Sequence, residues 1–521
     1  MTRNPAPASS TTIQNQSGRR RRAKRRRAGS EVPLQHPTVV KRRIPRYELL
    51  DEEGLTKLEA HADWILSEVG VEIRGDPIAL GLFRESGASV DGERIRFDPG
   101  HVRALCKTAP KTFKMHARAT ERSIDFGGDN LIFAPAYGSP FVTDIEGGRR
   151  YSTLADFQNF IKLTYMTPWL HHQSGTVCEP VDIAVNKRHL DMVYAHLRYS
   201  NKPFMGSVTA PERAEDSLAM ARIVFGEQYM ESHLVIQGNI NVNSPLVYDD
   251  TMTGALRAYA AANQGVVVSP FILAGAMSPV TTGALIAQAH AEAMVGIALT
   301  QLVRRGCPVV YGSFLTTMDL KTGAPTFGTP ESSLACLAIS QLCRRLGLPF
   351  RCGGHLTASK VADAQAMQES TDTMQPAIMA GANFIFQAAG WLEGGLTIGY
   401  EKFVMDADRC GAINRLLGGL ALDANDFAPE AYLEAGIGNN FLGVDHTLRN
   451  FRAANYRAEL ADNNSFEQWV ESGSQDTQQR AHQRWKQMLR EYQMPEIDVA
   501  TDEALLDFMQ RRKSTMKDRW Y

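Results

Sequence analysis

Two spacings of apolar residues alternate along most of the chain. Between residues 130 and 417, short apolar runs typical of buried strands alternate with longer segments whose apolar residues recur every three or four positions, as in amphipathic helices. This pattern predicts eight strand–helix units. The predicted strands are Leu131–Tyr137, Trp169–Thr176, Pro203–Val208, Leu234–Asn241, Val266–Ala274, Pro308–Gly312, Pro349–Gly353 and Asn383–Ala389.

Capping residues, prolines and glycines mark the ends of the predicted helices. Thr153, Pro211 and Pro330 stand where helical segments begin, and Gly347 and Gly381 stand just after such segments, where a left-handed residue is favoured. The predicted helices are Leu154–Met166, Asn186–Tyr199, Pro211–Phe225, Asp249–Asn263, Thr281–Arg305, Pro330–Leu346, Asp363–Ala380 and Glu401–Leu417.

The repeated unit predicts an α/β fold, most simply a (β/α)8 TIM barrel. Runs such as Val266–Val268 are apolar on both faces, as in parallel strands that helices cover. A doubly wound open sheet is the alternative fold, but no glycine-rich nucleotide fingerprint follows the first strand. The predicted domains are a disordered Arg-rich tail (1–46), an N-terminal α/β cap (47–128), the barrel (129–425) and a C-terminal helical extension (426–521).

The composition is that of a globular protein without disulfides. Hydrophobic residues make up 44% and charged residues 22%, which excludes a largely disordered or fibrous chain. The seven cysteines are odd in number and form no C-x-x-C pair, so we expect a reducing, cytoplasmic location. No apolar run reaches the roughly 18–20 residues that a membrane span needs, so we predict no membrane association.

The net charge of −1 hides a strong asymmetry. Residues 1–46 carry 13 of the basic residues and only one acidic residue, Glu31, so the rest of the chain is acidic. The basic run Arg19–Arg27 has no interleaved aromatic residues that could stack on bases. We therefore interpret the segment as a solvated, disordered tail and predict no nucleic-acid binding.

The carboxyl ends of the predicted strands carry the candidate chemistry, because active sites of such barrels lie there. Most of these residues are polar but uncharged, or aromatic, which suits a small ligand held by hydrogen bonds and ring faces. His171 and His172 are neighbours without zinc-ligand spacing, so we predict no metal site. The candidate residues are Tyr137, Gln173, Asn241, Tyr311, His355, Trp391 and Glu393.

Two segments at these strand ends stand out. In Gly353–Gln365, His355 lies at the predicted mouth, where a purely structural role does not account for it. In Ala388–Thr397, a glycine-rich loop carries Trp391 and Glu393, an indole and a carboxylate that together suit an ammonium ion.

Five stretches in this order resemble the trimethylamine methyltransferase (MttB-like) superfamily of corrinoid-dependent methyltransferases. The resemblance covers roughly residues 45–515, implies a (β/α)8 barrel and leaves the basic tail outside the family core. The stretches are Leu302–Ser313, Gly328–Glu331, Gly353–Gln365, Ala380–Phe386 and Ala388–Glu401.

The chain departs from the family's founding members in one loop. Those enzymes carry pyrrolysine, which activates trimethylamine, in the loop that corresponds to Gly353–Lys360, whereas this chain has ordinary residues there. A quaternary amine needs no such activation, since it is already cationic. The resemblance therefore implies methyl transfer from a quaternary amine, glycine betaine first and proline betaine, carnitine, choline or trimethylamine as alternatives, to the Co(I) of a corrinoid protein.

The resemblance also implies partners and residue roles. The chain has no D-x-H-x-x-G corrinoid signature, so we expect no directly bound cofactor and a cognate corrinoid protein as partner. We expect a homo-oligomer. Under this hypothesis Trp391, Tyr137 and Glu393 hold the ammonium, and His355, the candidate catalytic residue, holds the carboxylate end with Gln173 and Asn241.

Two functions of other classes remain as alternatives. One is a barrel lyase or isomerase that uses His355 as its general base. The other is a betaine-binding protein without turnover.

Overall fold

Seven parallel strands form the centre of the computed structural model, which describes residues 40–520. Neighbours in the sheet follow chain order, and the last strand pairs with the first, in parallel, through Phe384 and Ile132. This is a mixed α/β structure, as the alternating pattern predicted. The strands are Asn130–Phe133, Phe204–Met205, Ile236–Val242, Gly265–Ala274, Val309–Gly312, Phe350–Gly353 and Phe384–Phe386.

One of the eight predicted strands, Trp169–Thr176, is not a regular strand. Residues 171–174, the closing segment, nevertheless bond to strands on both sides, since His171 N–H donates to Phe133 O at 3.0 Å and Met205 N–H donates to Ser174 O at 2.9 Å. A regular ladder is interrupted because the His171 imidazole Nδ1 accepts the Phe133 N–H at 3.1 Å. Ser174, with φ 62°, is also in a left-handed conformation that strands do not adopt.

The helices after the strands follow the predicted ones closely. Three of them, Leu154–Met166, Pro211–Phe225 and Pro330–Leu346, have the predicted bounds, because local signals set their ends. The Thr153 side chain and Asp156 form a reciprocal capping box at one of these ends. The other helices of the repeat are Arg188–Tyr199, Asp250–Ala261, Thr282–Val303, Ala364–Ala380 and Tyr400–Leu417, with the short helix Glu227–Ser232 between two units.

The helix Thr282–Val303 is long and apolar enough to cross a membrane, but its side chains are buried in protein. Helices Glu52–Trp64, Pro77–Glu85 and His101–Cys106 pack against it from the N-terminal part of the chain. A helix enclosed on all sides needs no polar face, which explains its uniform apolar composition.

Residues 40–46 are part of the ordered structure, so the predicted tail extended too far. Val40 is buried and pairs with Leu131, and the backbone N–H of Arg42 donates to Asp129 O at 2.8 Å. The rest of the predicted tail, residues 1–39, lies outside the described residues. The first ordered strand is Val40–Lys41.

The region predicted as a cap contains short helices and strands. The helix Glu52–Trp64 continues into a π-helical turn, Ile65–Val69. The strand Val71–Ile73 pairs in parallel with Val247–Tyr248, which lies within the repeat. The remaining elements are strands Ser89–Asp91, Arg94–Arg96, Phe113–Met115 and Ile124–Phe126 and the 3-10 turn Thr120–Arg122.

The C-terminal region contains several helices. Its helix Thr477–Glu491 packs on Tyr400–Leu417, and Val499–Ser514 packs on Pro211–Phe225. The division into cap, barrel and extension stays a prediction. The other elements are helices Ala424–Phe427, Pro429–Ala435, Asp445–Asn450 and Phe466–Glu471, strands Phe141–Thr143, Arg150–Tyr151, Phe314–Met318, Pro325–Thr326, Trp391–Leu392 and Thr397–Gly399, and the 3-10 turn Glu393–Gly395.

The two faces of the central sheet have different surroundings. Helices cover one face, and the other, the inner face, carries a separate apolar cluster. The hairpin of residues 113–126 contributes to this cluster and bonds to Leu234, just before a strand begins, so it covers the amino-terminal end. Six members of this cluster lie on the central strands, and Ala134 directly follows the first of them. The six are Ile132, Met205, Val267, Val310, Phe384 and Phe386.

Candidate functional site

The inner face becomes polar toward the carboxyl ends of the strands. Arg351 pairs in register with Gly312 and with Phe384, an inner-face residue, so its side chain shares that face. By the same register argument, Asn241 and Ser269 lie side by side above the apolar cluster.

Arg351 is the buried cation of this region, with only 3% of its surface exposed. Its Nη1 donates to Ser269 Oγ at 3.0 Å and to the Ser313 carbonyl at 3.3 Å, and its Nη2 donates to Gln387 Oε1 at 3.3 Å. Burial lowers the pKa of Arg351 to about 10, so the guanidinium stays charged at neutral pH. Within residues 40–520, no carboxylate lies within 4 Å of it.

Gly312 makes the contact between Arg351 and Ser269 possible. It belongs to the strand between theirs, so the Arg351 side chain must cross it to reach Ser269. A Cβ at Gly312 would lie 2.9 Å from Ser269 Oγ and 2.7 Å from the carbonyl oxygen of Val268. The absent side chain thus keeps the passage open.

Three residues near the carboxyl edge of the sheet have left-handed backbones although they are not glycines. One is the last residue of the closing segment, and the other two follow central strands. Ser174, His355 and Gln387 have φ values of 62°, 48° and 53°. Each such residue costs roughly 1–3 kcal/mol and persists only where its surroundings hold it, often at functional sites. Three such residues thus lie near the carboxyl edge of the sheet, and others, such as Leu246 and Ala428, lie elsewhere.

His355 is neutral and its orientation is held. Nδ1 lies 2.7 Å from the carbonyl oxygen of Ala388, which can only accept, so Nδ1 carries the proton. Burial lowers the pKa of His355 to about 4. At neutral pH its Nε2 consequently bears a lone pair.

A buried ion pair supports the loop around Trp391. Lys402 Nζ lies 2.5 Å and 2.6 Å from the two carboxylate oxygens of Asp406, and both side chains are fully buried. Asp406 Oδ2 also accepts the Gly390 N–H at 2.9 Å, and its Oδ1 lies 3.9 Å from His355 Nδ1. The pair thus connects helix Tyr400–Leu417 to the candidate site.

Trp391 belongs to an aromatic cluster. Its ring centroid lies 5.9 Å from that of Phe314 and 6.3 Å from that of Phe327. Gly395, with φ 99°, lies flat against the indole, where a side chain would collide with the ring. The buried indole Nε1 has no hydrogen-bond partner among the described residues.

Glu393 is already paired. Its carboxylate accepts from Arg149 Nε at 2.7 Å and from Thr397 Oγ1 at 2.6 Å. Burial works against the ionised form, but these hydrogen bonds prevail and lower the pKa of Glu393. The ion pair neutralises the charge that we expected to attract an ammonium.

Two more predicted residues lie at the carboxyl edge. Tyr137 is half-buried, its ring 6.2 Å from that of Phe386, and burial raises its pKa to about 12. Asn241 is exposed, and its Oδ1 accepts from Asn239 Nδ2 at 3.3 Å. Both can meet a ligand that enters from this side.

The last two predicted residues point elsewhere. Gln173 donates to Ser200 Oγ at 2.5 Å, at the end of helix Arg188–Tyr199. The Tyr311 hydroxyl lies 3.0 Å from His290 Nδ1, in the layer between the sheet and helix Thr282–Val303. These hydrogen bonds direct the side chains of Gln173 and Tyr311 toward the surrounding helices.

The sequence analysis missed Arg351 and did not include Gln387 among its seven candidate residues. A signal was present, because Arg351 is a single charged residue inside the apolar run Pro349–Gly353. In a strand buried on both faces, such a residue points to a specific polar contact.

Across residues 40–520, no three His, Cys, Asp or Glu side chains converge as metal ligands would. The neighbouring histidines have other partners. His171 Nδ1 accepts the Phe133 N–H, and His172 Nδ1 accepts the Ser174 N–H at 2.9 Å. Both imidazoles hold the closing segment.

Comparison with known proteins places the chain among methyltransferases. Residues 16–517 match the family "Trimethylamine methyltransferase (MTTB)", so the match begins inside the predicted tail. A protein named glycine betaine methyltransferase from Desulfitobacterium hafniense (strain Y51) is 38% identical over 90% of this chain and 98% of its own length.

Two further similarities are more distant. A trimethylamine methyltransferase MttB from Desulfitobacterium hafniense (strain DSM 10664 / DCB-2) is 27% identical over 88% of this chain and 92% of its own. The crystal structure of the Methanosarcina barkeri monomethylamine methyltransferase (MtmB) aligns over 87% of this chain and 96% of its own, with 9% identity and a TM-score of 0.44. On the strength of the family match and the 38% identical relative, this chain belongs to the trimethylamine methyltransferase (MTTB) family.

Proposed function

We propose that this protein transfers an N-methyl group from a quaternary amine, glycine betaine first, to the Co(I) of a corrinoid protein. The observation that carries the proposal is the 38% identity to a glycine betaine methyltransferase over 98% of that protein's length. The loop Gly353–Lys360 supports it, because its ordinary residues offer no group that would activate a neutral amine.

The reaction requires the protein to bind the methyl donor and to position one of its N-methyl groups. When the nucleophile attacks an N-methyl carbon, the C–N bond breaks and its electron pair stays on nitrogen, so a tertiary amine leaves without any proton transfer. The corrinoid supplies the nucleophilic Co(I). The protein's residues hold the donor, orient one methyl group toward the carboxyl edge and exclude water.

The inner face fits a small donor better than a macrocycle. Phe386, Gln387 and Ser269 pack closely around Arg351, with the Phe386 ring centroid 4.2 Å from the guanidinium carbon. We infer that the eight units close into a (β/α)8 barrel and that a partner protein presents the corrinoid at its open end. Cytoplasmic location is part of the same proposal.

Self-association is also part of the proposal. Leu433, Ile437 and Leu442 are more than 80% exposed in the C-terminal region. Exposed apolar residues in such a group are typical of protein–protein contacts.

The alternatives make different demands on the site. A lyase or isomerase would need His355 as a base, and its neutral state permits this role. A binding protein would need only the aromatic and polar contacts.

The direct test is methyl transfer to Co(I) cobalamin, alone and with the cognate corrinoid protein, followed by absorbance. We expect glycine betaine to react in a panel with proline betaine, carnitine, choline and trimethylamine. Reaction with trimethylamine alone would refute the argument from the loop. No reaction with any donor would refute the proposed transfer.

Substitutions of Trp391 and Glu393 distinguish an aromatic contact with the ammonium from an ionic one. We expect Trp391→Leu to raise the KM for the donor about 10-fold, since a cation–π contact contributes about 1–2 kcal/mol when desolvated. We expect Glu393→Gln to leave the KM within about 2-fold, because Arg149 already neutralises that carboxylate. An equal rise in KM in both variants would show that Glu393 also contacts the ammonium. Circular dichroism of both variants checks the fold.

A further inference from the structure

We propose that Arg351 binds the carboxylate of the methyl donor and so restricts the protein to quaternary amines that carry an acid group. This inference rests on the proposed function and deepens it. It assigns the carboxylate end of the donor to a residue below the strand ends, in place of His355, Gln173 and Asn241.

The first support is an uncompensated charge. A cation that is 97% removed from solvent is normally paired with an anion, because an isolated charge is costly to bury. The three acceptors around Arg351 within residues 40–520, Ser269 Oγ, Ser313 O and Gln387 Oε1, are all neutral. The missing anion is what a zwitterionic donor would bring.

The second support is the geometry of the unused donors. A guanidinium has five N–H groups, and the described contacts of Arg351 use two on Nη1 and one on Nη2. Nε is buried without a partner. Nε and Nη2 form one edge of the planar group, which matches the two oxygens of a carboxylate.

The third support is the way the guanidinium is held. Ser269 and the Ser313 carbonyl bond to Nη1, at the opposite corner from Nε, and the Phe386 ring covers one face. Gly312 keeps the passage to Ser269 open. These contacts orient the group before the ligand arrives, which reduces the entropy lost on binding.

The charge pattern along the inner face agrees with a zwitterion. The cationic Arg351 lies on a central strand, and the aromatic Tyr137 and Trp391 follow the carboxyl ends of the central strands Asn130–Phe133 and Phe384–Phe386 in the chain. A donor whose carboxylate meets Arg351 extends its ammonium toward these rings and its methyl groups toward the open edge. Glycine betaine, proline betaine and carnitine satisfy both ends, whereas choline and trimethylamine lack the anion.

The experiment measures binding and turnover with Arg351→Gln and Arg351→Lys in the full chain. Isothermal titration calorimetry with glycine betaine and with choline gives the Kd, and methyl transfer to Co(I) cobalamin gives the KM. The matched control is Arg42→Gln, because Arg42 is also buried and lies beside the strand Val40–Lys41, away from the inner face. Thermal unfolding of each variant reports the fold.

We expect wild-type protein to bind glycine betaine about 100-fold more tightly than choline, and Arg351→Gln to remove that preference by weakening glycine betaine about 100-fold, the usual scale for a buried charge pair. Arg351→Lys keeps the charge but loses the pair of N–H donors that matches a carboxylate, so its affinity for glycine betaine should fall about 10-fold. Arg42→Gln should change neither Kd.

Three outcomes overturn different statements. If wild-type protein transfers methyl groups from glycine betaine and a folded Arg351→Gln binds it as tightly, the carboxylate site is refuted and the proposed function stands. If betaine binding depends on Arg351 but no donor is demethylated, the methyl transfer is refuted. If Arg351→Gln does not fold, unchanged betaine affinity in Arg351→Lys refutes the two-point contact.

Discussion

Replacing Lys402 with methionine is expected to lower the free energy of unfolding by about 3–5 kcal/mol, the cost of leaving a buried charge without its partner. Asp406 would then remain ionised in a site with no exposure, or would have to take up a proton. Because Asp406 also accepts the Gly390 N–H, the change should reach the loop that carries Trp391. Urea unfolding of the variant and wild type, followed by circular dichroism, measures the difference.

The chain contains a well-matched control for this experiment. Glu53 and Lys57 form an ion pair of similar length, 2.6 Å, with the same four-residue spacing, but both side chains are 74% exposed. Lys57→Met should cost only about 0.3–0.5 kcal/mol, because water screens the pair and replaces it. Equal costs in the two variants would show that burial does not govern the Lys402 pair.

The double variant Lys402→Met/Asp406→Leu addresses the mechanism. It removes both charges and should recover much of the lost stability, although Gly390 loses an acceptor. A double variant as unstable as the sum of the single ones would instead indicate a packing defect.

Acidification from pH 7.5 to pH 5 is expected to destabilise the protein steeply. In residues 40–520, burial lowers the pKa of every buried histidine, and each therefore binds a proton more readily in the unfolded chain. The stabilisation is complete above the ordinary pKa near 6.5 and is lost as the pH falls toward the folded-state values, by about 1.4 kcal/mol per pH unit for each histidine that gains a proton on unfolding. The histidines are His171, His172, His189, His196, His290 and His355.

Two of these histidines connect the titration to the fold. His171 and His172 accept backbone N–H groups through Nδ1 in the closing segment, so protonation would turn each acceptor into a donor that faces another donor. Burial raises the pKa of Glu292 and Asp63, which offsets part of the effect. Free energies of unfolding at pH 7.5, 6.5 and 5.5 give the slope.

Single substitutions show which histidines cause the change in the free energy of unfolding with pH. His290→Gln keeps an acceptor for Tyr311 and should reduce the pH slope by up to about 1.4 kcal/mol per pH unit. His61→Gln changes an exposed histidine and should leave the slope as in wild type. If the stability of the wild-type protein did not fall with pH, or if His290→Gln left the slope unchanged, the buried imidazoles would not control acid stability.

Helix ends and strand positions were readable because their signals act over a few residues. Pro330 at a helix start and Gly347 after its end define the helix Pro330–Leu346 without any distant contact. The family was readable from motifs such as Gly353–Gln365, since their residues are contiguous. The prediction for residues 40–46 was wrong because their order comes from pairing with Asn130 and Leu131, about 90 residues away.

The site itself depended on contacts that no local pattern encodes. Glu393 in its glycine-rich loop predicted an ammonium contact, but the fold brings Arg149, 244 residues distant, to its carboxylate. Tyr311 follows the strand pattern as well as Arg351 does, and only the register of the sheet assigns one to the helix layer and the other to the inner face.

By itself, the sequence determined the α/β repeat, most helix bounds and the methyltransferase family. These depend on periodicity, capping and contiguous motifs, which a single chain segment contains. Only the tertiary structure decided that histidine side chains complete the closing segment, that the charge of Glu393 is neutralised and that Arg351 has no anionic partner among residues 40–520. Whether a charge is paired depends on which distant segments meet and how far water is excluded, and both are properties of the folded chain.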